Sequence, residues 1–207
     1  MANVRIGLID HGIGNIRSVY NALEKLGMAV TLVEQWEQTE GQEILILPGV
    51  GNFGGVVDAL KKKGLFEPLK LHVYSNRPFI GICVGMQLLF GGSSESPDRE
   101  GFGLLKGQLR HLSELDKSQI VPSIGWKTLQ TQRNVFDDAP LEMAYFVHSY
   151  FVAEIDPSVL VSTYDWHSFS IPAHVSFGLV HGVQFHPEKS RSAGVDFLGS
   201  LIRGLTK

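Results

Sequence analysis

Cys83 is the only cysteine in a chain of 207 residues. With one thiol no internal disulfide can form, so stability must come from a packed core. Long apolar runs are missing too: none approaches the ~20 residues of a membrane span. The first, "VRIGLI", is ended by Asp10 and is too short for a signal peptide. Clustered positive charge is also scarce. There are 18 Lys and Arg against 21 Asp and Glu, the net charge is -3, and the longest like-charge run is Lys61-Lys62-Lys63. Nucleic acid is therefore not an expected partner, because phosphate recognition needs grouped cations. No His or Cys spacing of a metal site occurs, and neither metal nor cofactor is expected. Repeats, linkers and low-complexity segments are absent. What is present is 43% hydrophobic sequence, enough for a full core. The expectation is one cytoplasmic domain over residues 1–207, outside any membrane.

The first half alternates strand and helix patterns. "VRIGLI" reads as a buried strand. Ile16, Val19, Tyr20, Leu23 and Leu26 recur at helical spacing up to Gly27. "AVTLV" and "EILILP" follow as strands, the latter ending at Pro48. Phe53, Val56, Val57 and Leu60 mark a helix that stops near Gly64. "FIGIC" is a further strand leading into a helix from about Val84. Such alternation predicts parallel strands with right-handed crossovers, covered on both faces. The second half changes character. "IGWKTL", "AYFVHSYFVA", "VLVSTY" and "LVHGVQFH" are strand-like, and Val195, Leu198, Leu201 and Ile202 read as a closing helix. The fold class is α/β, a mostly parallel central sheet flanked by helices with antiparallel additions.

Gly81-Ile82-Cys83-Val84-Gly85 has the form G-x-C-x-G, in which a nucleophile sits on a tight strand-to-helix turn. Small neighbours are needed around a strained residue. A helix N-terminus favours an anionic sulfur, and the Val84 N–H would face a developing oxyanion. The pentapeptide by itself fits a buried core cysteine between packing glycines equally well. A base would tip the balance, and "GVQFHPEKS" offers one. Pro187 biases His186 towards extended backbone, so His186 and Glu188 share a face. A carboxylate beside an imidazole fixes its tautomer and supports its cation, which suggests a Cys83-His186-Glu188 triad. The same letters read alone as a surface turn. His181 falls on the opposite strand face, and His148 reads as a satisfied buried histidine.

Two glycine-rich loops, "PGVGNF" from Pro48 and "DHGIGN" from Asp10 to Asn15, also follow strands. The first could bind an anion or supply a second oxyanion donor. It lacks the G-K-[ST] ending of a phosphate loop and the context of a dinucleotide site. Ligand sites of open α/β sheets lie beyond the carboxyl ends of the strands, so the loops and Cys83 should share one edge.

Taken in order, "DHGIGN", "LPGVGNFG", "GICVGMQLLF", "IGWKTL", "YFVHSY" and "GVQFHPEKS" make the chain resemble class I (triad-type) glutamine amidotransferases over nearly its whole length. Within that class it is most similar to the glutaminase subunits of imidazole glycerol phosphate synthases. The resemblance implies that Cys83 attacks the side-chain amide of L-glutamine, with His186 as acid and base and Glu188 orienting it. It implies an oxyanion hole from Val84 and the Val50-Gly51 turn, and a glutamine cradle of Gln87, Glu95, Ser149 and Tyr150. It also implies a (βα)8-barrel cyclase partner in histidine biosynthesis, contacted through Asn15, Trp126 and Lys189, that receives the ammonia. Trp126 reads equally as core packing. The chain departs from the family pattern at His11, Ser123, Val84 and the stretch "DWHSFSIPAHVSFGLVHG". Those departures bear on the partner rather than the chemistry. Paralogues that feed ammonia to enzymes of surface-polysaccharide sugars, and cysteine hydrolases of related fold, are the alternatives.

Overall fold

Apolar runs that are buried from end to end define the centre of the molecule, for which a computed structural model describes residues 4–14, 16–135 and 141–206. The strands β1 (Arg5–Ile9), β2 (Ala29–Val33), β3 (Ile44–Gly49), β4 (Phe79–Cys83) and β11 (Val180–Val183) pair in parallel in the order β2-β1-β3-β4-β11. Every residue of β3, β4 and β11 is buried, as expected of strands covered on both faces. The helices α1 (Ile16–Lys25), α2 (Phe53–Lys62), α3 (Phe66–Tyr74), α4 (Val84–Gln87) and α5 (Arg191–Leu205) supply that cover. On α1 the apolar stripe of Val19, Ala22 and Leu23 is buried, and Gly27 beyond it adopts φ 72°.

The sheet continues past β11 with antiparallel pairing. β10 (Phe169–Phe177), β9 (Leu160–Trp166), β6 (Ser123–Thr131) and β7 (Met143–His148) complete a nine-stranded sheet among the described residues. Burial alternates along β6, as it does where one face meets solvent. A separate ribbon pairs β5 (Gln108–His111) with β8 (Tyr150–Ala153). The expected class, a largely parallel sheet with antiparallel additions from the second half, is the one observed.

Four local features correct or add to the sequence reading. The helix after Cys83 is a single turn, Val84–Gln87. Its continuation is diverted because the carbonyls of Leu88, Leu89 and Phe90 accept from the N–H groups of Phe102, Leu105 and Gly103. The strand at Pro48 runs one residue further, pairing Pro48 with Ile82 and Gly49 with Cys83. The last pair with β1 is Leu8 with Ile46, and a strand tolerates a missing N–H beyond that, where one side is unpaired. "AYFVHSYFVA" is broken at Ser149 into β7 and β8, which belong to different sheets. The helix α3 follows Gly64 and holds Pro68 in its first turn, where the absent N–H has no helical partner to lose.

Candidate active site

The Cys83 backbone carries φ 55° and ψ -109°, a conformation that side chains of L-residues rarely adopt. Its two glycines make that turn possible by close approach. A Cβ on Gly85 would strike the carbonyl oxygen of Leu47, and one on Gly81 would strike the carbonyl of Gly85. Cys83 thus ends β4 and opens α4, opposite Gly49 of β3.

His186 arrives from the neighbouring strand. β11 runs beside β4 with Val183 opposite Ile82, and His186 follows three residues later. Its N–H donates to the Tyr145 carbonyl at 2.9 Å, and its own carbonyl accepts from the Ser190 hydroxyl at 2.7 Å. Pro187 does hold His186 extended, at φ -103° and ψ 96°. It also starts a 3-10 turn over Pro187–Lys189, so Glu188 reaches back through a turn rather than along an extended strand. Nδ1–H of His186 donates to Oε1 of Glu188 at 2.8 Å, and both side chains are only 2% exposed. This bond turns Nε2 away from the carboxylate. Nε2 has no partner of regular hydrogen-bond geometry. Burial opposes charge on the ring, but the adjacent Cys83, and after it Glu188, outweigh burial and push the His186 pKa up to about 10.

Cys83 opens into a pocket of about 240 Å3, lined by Val50, Gly51, Val84, Gln87, Glu95, Ser149 and Tyr150 together with Pro122, Val147 and His148. The expected oxyanion and cradle residues therefore share one cavity. Glu95 is anchored by the Phe53 N–H, which donates to its Oε2 at 2.7 Å at the start of α2. His148 is a satisfied buried histidine that also lines the pocket. Its Nδ1–H donates to the Tyr150 carbonyl at 2.9 Å, so Nε2 accepts from the Tyr164 hydroxyl at 2.8 Å. Burial lowers its pKa to about 4 and keeps the ring neutral.

The departures from the family pattern have internal positions. Ser123 is buried with its hydroxyl 3.2 Å from that of Tyr164. His11 is buried, donates through Nε2–H to the Pro48 carbonyl at 2.9 Å, and lines a small crevice with His186 and Glu188. Residues Asp165 to Gly182 run through β9, β10 and β11 inside the sheet. Trp126 is 37% exposed beside Ile124 at 56%, with the Arg191 guanidinium 4.9 Å from its ring, so core packing is excluded for it. Lys189 lies in the turn after His186, and Asn15 falls outside the described residues. Sequence reasoning missed Gln184, whose Nε2 lies 3.5 Å from the Cys83 sulfur. Strand alternation with His186 was the signal that could have found it.

A cysteine held strained at a strand-helix turn and opening into a pocket, with a buried imidazole-carboxylate pair just beyond the adjoining strand, is the kind of arrangement that thiol-dependent acyl transfer requires. The family model for class-I glutamine amidotransferases matches residues 7–198. The chain belongs to that family. It is 40% identical over 205 residues to the imidazole glycerol phosphate synthase subunit HisH of Synechococcus sp. (strain CC9902), covering 98% of this chain and 95% of that one. It is 37% identical to the imidazole glycerol phosphate synthase hisHF of Schizosaccharomyces pombe, of whose length it spans 38%. The structure of PurLQS from Thermotoga maritima shares the fold, with TM-score 0.75 over 98% of this chain and 99% of that one at 23% identity. A crystal structure of a glutamine amidotransferase superposes with TM-score 0.73 over 96% of this chain and 98% of that one at 18% identity.

Proposed function

We infer that the chain is the glutaminase subunit of an imidazole glycerol phosphate synthase, acting on L-glutamine and delivering ammonia to a (βα)8-barrel cyclase subunit. The observation that carries the chemistry is the strained Cys83 at the mouth of a pocket beside the His186-Glu188 pair. Full-length relatives at about 40% identity carry the pathway. In the proposed sequence the Cys83 thiolate adds to the side-chain amide carbon of glutamine. The oxyanion is held by backbone N–H groups at Val84 and the Val50-Gly51 turn. His186 gives a proton to the nitrogen as the C–N bond breaks and ammonia leaves. Water then adds to the γ-glutamyl thioester, giving its proton to His186. The Cys83 thiolate leaves as the adduct collapses, which restores the thiolate-imidazolium pair, and glutamate is released. Glu188 keeps Nδ1 protonated, so that Nε2 is the working nitrogen throughout. Gln87, Glu95, Ser149 and Tyr150 are the proposed cradle for the charged ends of glutamine. Trp126, Ile124 and Lys189 are the proposed docking face for the cyclase.

This reading treats residues 1–207 as one amidotransferase domain, supported by the match over residues 7–198 and by a continuous core. It places the chain in the cytoplasm, where a nucleophilic thiol stays reduced. The test is glutamate release by the purified chain, first alone and then with an imidazole glycerol phosphate cyclase subunit and its nucleotide ligand. Strong stimulation is expected. Equal rates in both conditions would overturn the pathway assignment, and no labelling of Cys83 by an electrophilic glutamine analogue would overturn the chemistry.

A further inference from the structure

A buried polar chain runs from the wall of the pocket to the nucleophile. Its members are the Tyr150 carbonyl, the side-chain amides of Gln87 and Gln184, and the Cys83 sulfur. Gln184 is 1% exposed and Gln87 4%. Nε2 of Gln87 lies 3.5 Å from the Tyr150 carbonyl oxygen and 3.0 Å from Oε1 of Gln184. Nε2 of Gln184 lies 3.5 Å from Sγ of Cys83.

The direction of this chain is forced. A carbonyl oxygen can only accept, and that of Tyr150 already accepts from Nδ1–H of His148. The Gln87 amide must therefore turn its NH2 towards Tyr150 and Gln184. Gln184 must then present Oε1 to Gln87 and NH2 to the sulfur. A sulfur that receives an N–H is hydrogen-bonded as an acceptor, and such a bond strengthens when the sulfur is anionic. The sheet register explains the placement. Val183 lies opposite Ile82 in the β4-β11 pair, which brings the next residues, Gln184 and Cys83, side by side. The Gln184 N–H donates to the Ala173 carbonyl at 2.8 Å and locks its backbone to β10.

We propose that Gln184 is a positioning residue: its amide donates to the Cys83 sulfur and, by accepting from Gln87, ties the nucleophile to the wall of the glutamine pocket. The proposal rests on the glutaminase reading for its consequence in turnover, but the contact at sulfur can be tested without it. The sulfur then has two neighbours that favour its anionic form, the His186 ring and the Gln184 amide.

The experiment compares the intact chain with Gln184→Met and Gln184→Glu, all three checked for cooperative thermal unfolding. Two rates are read, alkylation of Cys83 by iodoacetamide at neutral pH and glutamine turnover with the cyclase present. In Gln184→Met both the alkylation rate and kcat should fall about tenfold, the effect of losing a hydrogen bond to a charged acceptor. KM should stay within about twofold, since the pocket wall is otherwise intact. Gln184→Glu keeps the shape and removes the donor, and should be slower still. A folded Gln184→Met with unchanged alkylation and kcat would overturn the proposal. So would a rise in KM with kcat and alkylation unmoved, or loss of folding in both variants, since either would make Gln184 a structural residue. If the intact chain alkylates rapidly but never turns over glutamine, the functional reading fails while the alkylation ratio still decides the role of Gln184.

Discussion

At Cys83 the chain accepts a backbone conformation at φ 55° that costs of the order of 1–3 kcal/mol in a side-chain-bearing residue. Strain of that kind persists where the surroundings over-determine it, and here flanking backbone leaves no alternative path. Substituting Cys83→Ser should abolish ammonia release while leaving the thermal midpoint within a few degrees, as read by glutamate assay and calorimetry. Glu188 sits on Nδ1 of His186 and helps to raise the ring's pKa, although burial opposes it. Glu188→Gln should therefore lower the pH at which the His186 ring titrates by NMR. It should also reduce kcat by about a hundredfold or more, because the tautomer and the imidazolium both lose their support. An unmoved titration would remove Glu188 from the orienting role.

At the scale of elements the decisive contact is the crossing of α4 over the ends of β3 and β4. The Gly85 position faces the Leu47 carbonyl with no room for a methyl group, and backbone cannot step aside as a side chain can. Gly85→Ala should cost at least about 2 kcal/mol in urea unfolding and should impair turnover more than stability alone explains. Much of this was legible beforehand. The glycines, the lone thiol and His-Pro-Glu announced the elbow and the pair, because each of those residues is demanded by local backbone geometry. Parallel strands announced themselves as unbroken apolar runs. What stayed hidden depends on distant partners. The single-turn length of α4 is set by the segment that takes its carbonyls, the break at Ser149 by the separate ribbon that claims β8, and the importance of Gln184 by a strand register that no local pattern specifies. The burial of His11 and Ser123 was hidden for the same reason.

Across the whole molecule, five buried histidines, His11 among them, have their pKa lowered by burial. Burial lowers the pKa of His72, His148 and His181 to about 4, and pushes that of His174 well below the ordinary 6.5. The unfolded chain protonates these rings below about pH 6.5 while the folded chain does not, so stability is complete above that pH and is lost as pH falls towards 4. Each ring can contribute up to about 1.4 kcal/mol per pH unit in that window. Urea midpoints measured from pH 7 to pH 4.5 should fall steeply, and His72→Asn, remote from the pocket, should flatten the fall by one ring's share. On the outer face, Trp126→Ala should weaken association with the proposed cyclase partner by about tenfold and leave basal turnover unchanged, as read by titration calorimetry and the unstimulated assay. Cys83 and the Gln184 amide beside it are 101 residues apart along the chain, and they meet only when β11 slots between β4 and β10. During synthesis the thiol emerges long before the imidazole proposed to activate it. A ribosome-bound chain therefore carries an idle sulfur until its final strand closes the sheet, and recovery of activity on refolding should track that last long-range pairing rather than the early collapse of the parallel half.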